Sequence, residues 1–190
     1  ATSGETDNVS SGSISDTTID GDAFGLFATV TRALTIDGAA ISNSLADGVL
    51  LHRSVTETSI TDTTSNGNGG VGFLVDRGAS GARLTRVTAS HNAEEGIKVD
   101  GEALAVGASA SGASTTTTSD NHILNGVVRD NARTGIEVVG GNDVEISGNT
   151  ITGNQEGIVV RAAAQSPTIV NNTVNNQVGF TTVPSDARST

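Results

Sequence analysis

Cysteine, methionine, tryptophan and tyrosine are all missing from this 190-residue chain, and only four phenylalanines and two prolines occur. Without cysteine there is no disulfide and no thiolate metal site. With so few aromatic rings, a thick globular core lacks the side chains that usually fill it. No run of 18 or more apolar residues occurs, which excludes a membrane-crossing helix. Basic residues are scarce as well, ten Lys and Arg against 21 Asp and Glu, for a formal net charge of −11. No basic stripe is present, so binding to nucleic acid through phosphate neutralisation is excluded. The acidity favours solubility and repels a polyanion unless cations intervene.

What the chain has instead is glycine, 24 residues of it, much of it in register. A glycine followed by alternating apolar residues starts at Gly25, Gly48, Gly72, Gly96, Gly135, Gly157 and Gly179, giving spacings of 23, 24, 24, 39, 22 and 22. A period of this length in Gly/Asn/Thr-rich sequence indicates a solenoid with one coil per repeat. The outlier is one ordinary coil plus an insertion, placed at 102–119 and made almost wholly of Ala, Gly, Ser and Thr. Such a composition reads as a lid or spacer loop. No composition break divides the chain, so residues 1–190 are expected to form one domain. The start at Ala1-Thr2-Ser3 reads as an excised segment of a longer protein.

Within a coil, period-2 alternation marks short strands with one face buried. Ile14 and Ile19, Ile36 and Ile41, Val55 and Ile60, Ile123 and Val128, Ile146 and Ile151, and Ile169 and Val174 each lie five residues apart. Leu84, Val87 and Ala89 depart from that phase. Gly and Asn are expected at the corners because they tolerate positive φ. Asn43, Asn92, Asn131, Asn154 and Asn176 recur near one corner, where stacked amides can satisfy turn backbone from coil to coil. Thr18, Ser59, Thr150 and Thr173 suggest a small-polar face, for which strand propensity is explanation enough.

Units such as Asn149-Thr150-Ile151-Thr152-Gly153-Asn154-Gln155-Glu156-Gly157-Ile158-Val159-Val160 resemble the right-handed parallel β-helix superfamily, over nearly the whole chain from about Val9 to Phe180. The resemblance implies an all-β, single-stranded solenoid of about seven coils of 22–24 residues. It also implies a bacterial protein that is secreted or on the cell surface. Members include pectate and alginate lyases, mannuronan epimerases, phage tailspikes and adhesins, so the fold does not select a function. The catalytic tyrosine and Asp-Pro-His motif of the mannuronan epimerases have no counterpart here, and no pectate-lyase calcium motif surrounds Asp76 or Asp100.

Counting from each anchor glycine, positions +1 and +3 should point inward and +2 and +4 outward. The outward columns bring His52, Asp76, Asp100, Lys98 and Arg77 onto one face. Proton abstraction next to a uronate carboxylate needs a base and a group or cation that neutralises the carboxylate. Lys98 or His52 fits the base, Arg77 the carboxylate clamp, and Asp76 with Asp100 a Ca²⁺ site. A solvated ladder of opposite charges is the competing reading of the same residues. Phe27, Leu50 and Leu74 form an outward apolar stripe that suits an interface, unless the segment Thr61–Gly70 folds over it.

The leading expectation is therefore a non-catalytic extracellular module with a carbohydrate-binding or structural role, its partner a polysaccharide or a cell surface. The alternatives are a Ca²⁺-assisted polysaccharide lyase or uronan epimerase, and an oligomeric tailspike or adhesin segment assembled through the Phe27 stripe. None of the three inserts into a membrane.

Overall fold

The computed structural model describes residues 9–101, 118–161 and 164–183. These contain no helix, and none long and apolar enough to cross a membrane. Three parallel sheets of seven strands each run along the molecule. In every sheet the hydrogen-bonded neighbour of a strand is the one three places away in sequence, so each coil contributes one strand to each sheet. The chain is a β-solenoid of seven turns. Coils stack at the strand spacing of about 4.8 Å.

The first sheet begins with Val9–Ser15, the second with Thr18–Asp20 and the third with Leu26–Thr29. The first and second sheets each send one column of side chains inward, and the third sends two. Ile14, Ile36, Ile60, Leu84, Ile123, Ile146 and Ile169 form the first column, in consecutive register. Leu26, Val49, Phe73, Ile97, Ile136, Ile158 and Phe180 form the third. The second includes smaller groups, Ser65 and Ala89, and the core is filled by aliphatic side chains with Phe73 as its one aromatic among the described buried residues.

Two phase assignments change. The partner of Ile60 across the first corner is Ser65, not Val55, and Leu84 with Ala89 keeps the five-residue spacing. Ser65 was hidden from a hydrophobic count because it is a buried hydroxyl, which donates to the carbonyl of Gly72 at 2.8 Å. Val55 is buried too, but beside the short bridge of Thr56 to Arg32.

The five-residue spacing has a backbone cause. Asp16, Gly38, Asp62, Arg86, Asn125 and Gly148 have φ between +46° and +70° at the first corner. Five residues later, Gly21, Asn43, Gly67, His91, Asp130 and Gly153 repeat this at the second corner, with φ between +54° and +76°. The left-handed conformation costs an ordinary residue roughly 1–2 kcal/mol, so the corners are held by what surrounds them. Arg86, for instance, is clamped by two bonds to Asp62 at 2.7 and 2.8 Å.

The anchor glycines serve a different need. A Cβ on Gly72 would lie 2.5 Å from the carbonyl oxygen of Gly96, and one on Gly96 would lie 2.8 Å from that of Gly135. The glycines stack carbonyl to Cα along the axis, and beside them runs an asparagine ladder. The amide N–H groups of Asn68, Asn92, Asn131 and Asn154 donate to Oδ1 of Asn92, Asn131, Asn154 and Asn176 at 2.8–3.1 Å, and their side-chain Nδ2 groups do the same. Asn68 belongs to this ladder and Asn43 does not. Asn43 sits at a left-handed corner and donates to Asp20 at 2.7 Å. The insertion expected at 102–119 lies outside the described residues, except that Thr118 and Ser119 belong to the coil. Thr118 is buried and accepts from the Gly78 amide, and Ser119 bridges Asn142.

Candidate functional site

The third sheet carries the site. Its strands are Leu26–Thr29, Val49–His52, Phe73–Asp76, Ile97–Asp100, Thr134–Val139, Glu156–Arg161 and Val178–Val183. Inward alternation of Val49 and Leu51, Phe73 and Val75, and Ile97 and Val99 forces the intervening side chains outward. One outward column therefore reads Phe27, Leu50, Leu74, Lys98, Glu137, Val159. The other reads Thr29, His52, Asp76, Asp100, Val139, Arg161 in the same registers.

All five expected polar residues lie on this face. His52 Nδ1 is 2.6 Å from Asp76 Oδ1, and Arg77 Nε is 3.5 Å from Asp76 Oδ2. Asp76 pairs in register with Asp100. Lys98 Nζ lies 3.5 Å from Asp100 and 3.4 Å from Glu137. Two further members were not anticipated as part of the constellation, Glu137 and Arg161. Arg161 closes on Glu137 through Nη2 at 2.6 Å and Nε at 2.7 Å. The two outward columns already contained both, so register alone was enough to find them. Asp76 lies between His52 and Arg77, and Glu137 between Lys98 and Arg161, while Asp76 and Asp100 stand side by side with Lys98 against the second.

Burial is uneven along this row. His52 and Asp76 are mostly covered, while Glu137 is 4% exposed and Val159 1%. Although these last two point outward, the sheet is covered on both faces at this level, and all six residues of Thr134–Val139 are buried. Burial pushes the Asp76 carboxyl upward, against the hydrogen bond from His52 and the charges of His52 and Arg77. Burial also raises Glu95, with the neighbouring Glu137 charge adding to the effect, and raises Asp47. For Lys98 burial is the largest single influence and favours the neutral amine. Glu137, Asp100 and Glu95 together overcome it, and the balance lies with the ammonium. Lys98 is thus held as the charged partner of the surrounding carboxylates.

The oxygens of Asp76 are already engaged, one by His52 and one by Arg77. Calcium takes six to eight oxygen ligands, and no three His, Cys, Asp or Glu side chains among the described residues converge to hold a metal. Asp76 and Asp100 do not form a donor set that fits Ca²⁺.

The apolar stripe is in register, Phe27 beside Leu50 beside Leu74. Phe27 is 54% exposed, whereas Leu50 and Leu74 are half-buried. The segment expected to fold over them contributes the strand Thr64–Asn66 to the second sheet instead. Phe24 joins the stripe, its ring 6.3 Å from that of Phe27, and the Phe27 ring is 5.9 Å from the imidazole of His52. An aromatic patch therefore abuts the charged row. On the first sheet, Glu145 holds Nδ1 of His122 at 2.8 Å and Asp120 its Nε2 at 3.1 Å. His91 lies at a corner, 3.3 Å from Asn66.

A solenoid whose coils each give one strand to three parallel sheets is a parallel β-helix. The chain belongs to the right-handed β-helix family, whose "Right handed beta helix region" matches residues 5–174. Among solved structures it is similar to the periplasmic alginate epimerase AlgG, with 18% identity and a TM-score of 0.81 over 95% of this chain and 40% of that one. It is also similar to the A-module of the Azotobacter vinelandii mannuronan C-5 epimerase AlgE6, with 15% identity and a TM-score of 0.68 over 92% of this chain and 53% of that one. Pectate lyase Pel9A matches with 12% identity and a TM-score of 0.53, over 88% and 56%. This chain thus spans about half or less of the length of these structures, and at such identities the likeness is one of fold. Sequence comparison with functionally curated proteins gives no match.

Proposed function

We propose that this β-helix is a polysaccharide-binding module of an exported protein, and that it holds the polymer along the outer face of the third sheet. The observation that carries the reading is the row His52–Asp76–Asp100 in register, beside the register pair Lys98–Glu137 onto which Arg161 closes from the column of His52, flanked by the exposed rings of Phe24 and Phe27. A row of charge-assisted donors and acceptors repeating at the coil spacing meets a chain of sugars at regular intervals. The rings at one end add apolar area with little conformational entropy to lose. Paired charges keep the acidic face from repelling a uronan outright. An exported location agrees with the periplasmic AlgG among the similar structures.

Affinity electrophoresis in gels containing alginate, pectate or a neutral glucan tests the reading. Retardation in at least one gel is expected, and it should weaken in Phe27→Ala and in Lys98→Ala. Equal mobility in all three gels refutes it.

A second reading rests on the short His52–Asp76 contact. A carboxylate that fixes Nδ1 leaves Nε2 directed away from it, as a base requires. Arg77 and Lys98 stand nearby as cations for a uronate carboxylate, which is the task assigned to calcium in the Ca²⁺-assisted expectation. Under this reading the module is a lyase or epimerase. Absorbance of unsaturated uronate ends from alginate or pectate, and C-5 inversion followed by NMR, would reveal it. His52→Ala should then abolish turnover.

A further inference from the structure

The corner that leads from the third sheet to the first carries a notch at Gly81. One column of this corner reads Ala33, Glu57, Gly81, Asp120 and Asp143. The amide of each donates to a carbonyl one coil on, those of Thr56, Ser80, Ser119, Asn142 and Gln165 in turn. All five residues have positive φ, +51°, +56°, +65°, +53° and +52°. Four of them carry a side chain at that angle, so the backbone does not call for glycine at position 81. Crowding does not call for it either. A Cβ on Gly81 would lie 3.5 Å from the Glu57 amide nitrogen, an ordinary contact, whereas one on the anchor Gly72 would lie 2.5 Å from a carbonyl oxygen.

The missing side chain leaves a cavity of about 390 Å³, lined by Arg32, Thr56, Glu57, Ser80, Ser119 and Asp120 around Gly81. Thr56, Ser80 and Ser119 are half-buried and follow one another at the coil spacing of about 4.8 Å. No hydrogen bond among the described residues engages their three hydroxyls. The walls are fixed on both sides. Arg32 grips Glu57 with Nη2 at 3.0 Å and Nε at 3.2 Å. Asp120 is held by Nε2 of His122 at 3.1 Å, and Glu145 holds the other nitrogen of that ring at 2.8 Å. Ser119 follows the buried Thr118, which accepts from the Gly78 amide. A cavity whose walls are already held loses little order when it is filled.

The lining selects the chemistry of its ligand. A guanidinium only donates hydrogen bonds, a carboxylate only accepts them, and a hydroxyl does both. A group that meets all three in one small cavity must itself donate and accept. A carboxylate ligand cannot donate and an ammonium cannot accept, but the hydroxyls of a sugar do both. One arginine against two carboxylates also disfavours an anionic sugar. The volume is at the small end of the range for ligand cavities, enough for a single sugar ring.

We propose that this notch is a second saccharide site, around the corner from the third-sheet face, and that it takes one uncharged pyranose through neighbouring hydroxyls. Glu57 and Asp120 accept from the sugar, Arg32 donates to it, and Thr56, Ser80 and Ser119 complete the contacts in either sense. The inference does not rest on polymer binding at the third sheet.

Titration of the full chain with methyl glucoside, methyl mannoside, methyl galactoside, glucuronate and glucosamine provides the test, followed through the amide NMR signals of Glu57, Gly81 and Asp120. At least one of the three neutral glycosides should shift these signals saturably, and glucuronate and glucosamine should bind at least about tenfold more weakly. Gly81→Asn fills the notch with a residue that accepts positive φ. It should abolish the shifts and leave the melting temperature unchanged. Ser80→Ala and Ser119→Ala should each weaken binding about fivefold, and they decide the matter if Gly81→Asn does not fold. Absence of a saturable shift with all three neutral glycosides overturns the proposal. So does tighter binding of either charged sugar, binding that survives in folded Gly81→Asn, or full affinity in both serine variants.

Discussion

A Cβ placed on Gly96 would lie 2.8 Å from the carbonyl oxygen of Gly135, although 39 residues separate the two in sequence. The anchor glycine is thus fixed by its neighbour one coil away, and not by a backbone angle of its own. Val128 and Asn131 crowd the same point. Gly96→Ala must displace backbone, and overpacking of this kind costs about 1–3 kcal/mol. Gly179→Ala, which faces open space, should leave the urea midpoint nearly unchanged. Equal effects at the two positions would contradict the stacking account.

Asn131 stands in the middle of the buried ladder. It accepts from the Asn92 amide and side chain and donates to Asn154 and to the carbonyl of Ala89. Asn131→Ala leaves several buried groups unpaired at about 1–3 kcal/mol each. A loss of roughly 3 kcal/mol or more is expected in urea unfolding. Asn43→Ala, at an exposed corner outside the ladder, should cost far less.

His52 and Asp76 should act as a unit. In the gel assay, Asp76→Asn is expected to weaken retention about tenfold, the equivalent of roughly 1.4 kcal/mol. His52→Ala should do the same, and the double variant should be little worse than either single one. Fully additive losses would show that the 2.6 Å contact is not coupled to binding.

Stability should depend on pH with an unusual sign. Folding raises the carboxyl pKa of Asp47, Asp76 and Glu95, so in the window just above the ordinary values of 3.8 and 4.5 the native state binds more protons than the unfolded chain. Stability therefore falls as pH rises through that window, and the melting temperature should increase on acidification from neutral pH. Below the ordinary values the trend reverses, because Asp20 and Asp62 are held low by hydrogen bonds from Asn43 and Arg86 and lose that stabilisation when protonated. Glu95→Gln should flatten the upper slope and raise the melting temperature at neutral pH. A melting temperature that falls steadily from neutral pH downward would contradict this assignment.

Much of the architecture was legible because a solenoid repeats its demands. Each coil needs an inward apolar triplet, a glycine and an amide at fixed offsets, so period and phase expose the sheets and place His52, Asp76, Asp100 and Lys98 on one face. Legibility failed where a position broke its column's chemistry. Ser65 occupies a core position as a hydroxyl, and Asn68 was passed over in favour of Asn43, which lies nearby in sequence but on the corner.

The sequence by itself determined the coil count, the inward and outward columns, and the absence of disulfide and thiolate chemistry, because these depend on order and spacing along the chain. Tertiary structure alone decided which charges touch, which carboxylates are buried, and which asparagines join the ladder. Those properties depend on what neighbouring coils place within a few ångströms, across sequence separations of 22 to 42 residues. The glycine repeat could announce that coils stack. Only the stacked coils could show that each glycine is there to make room for the next one.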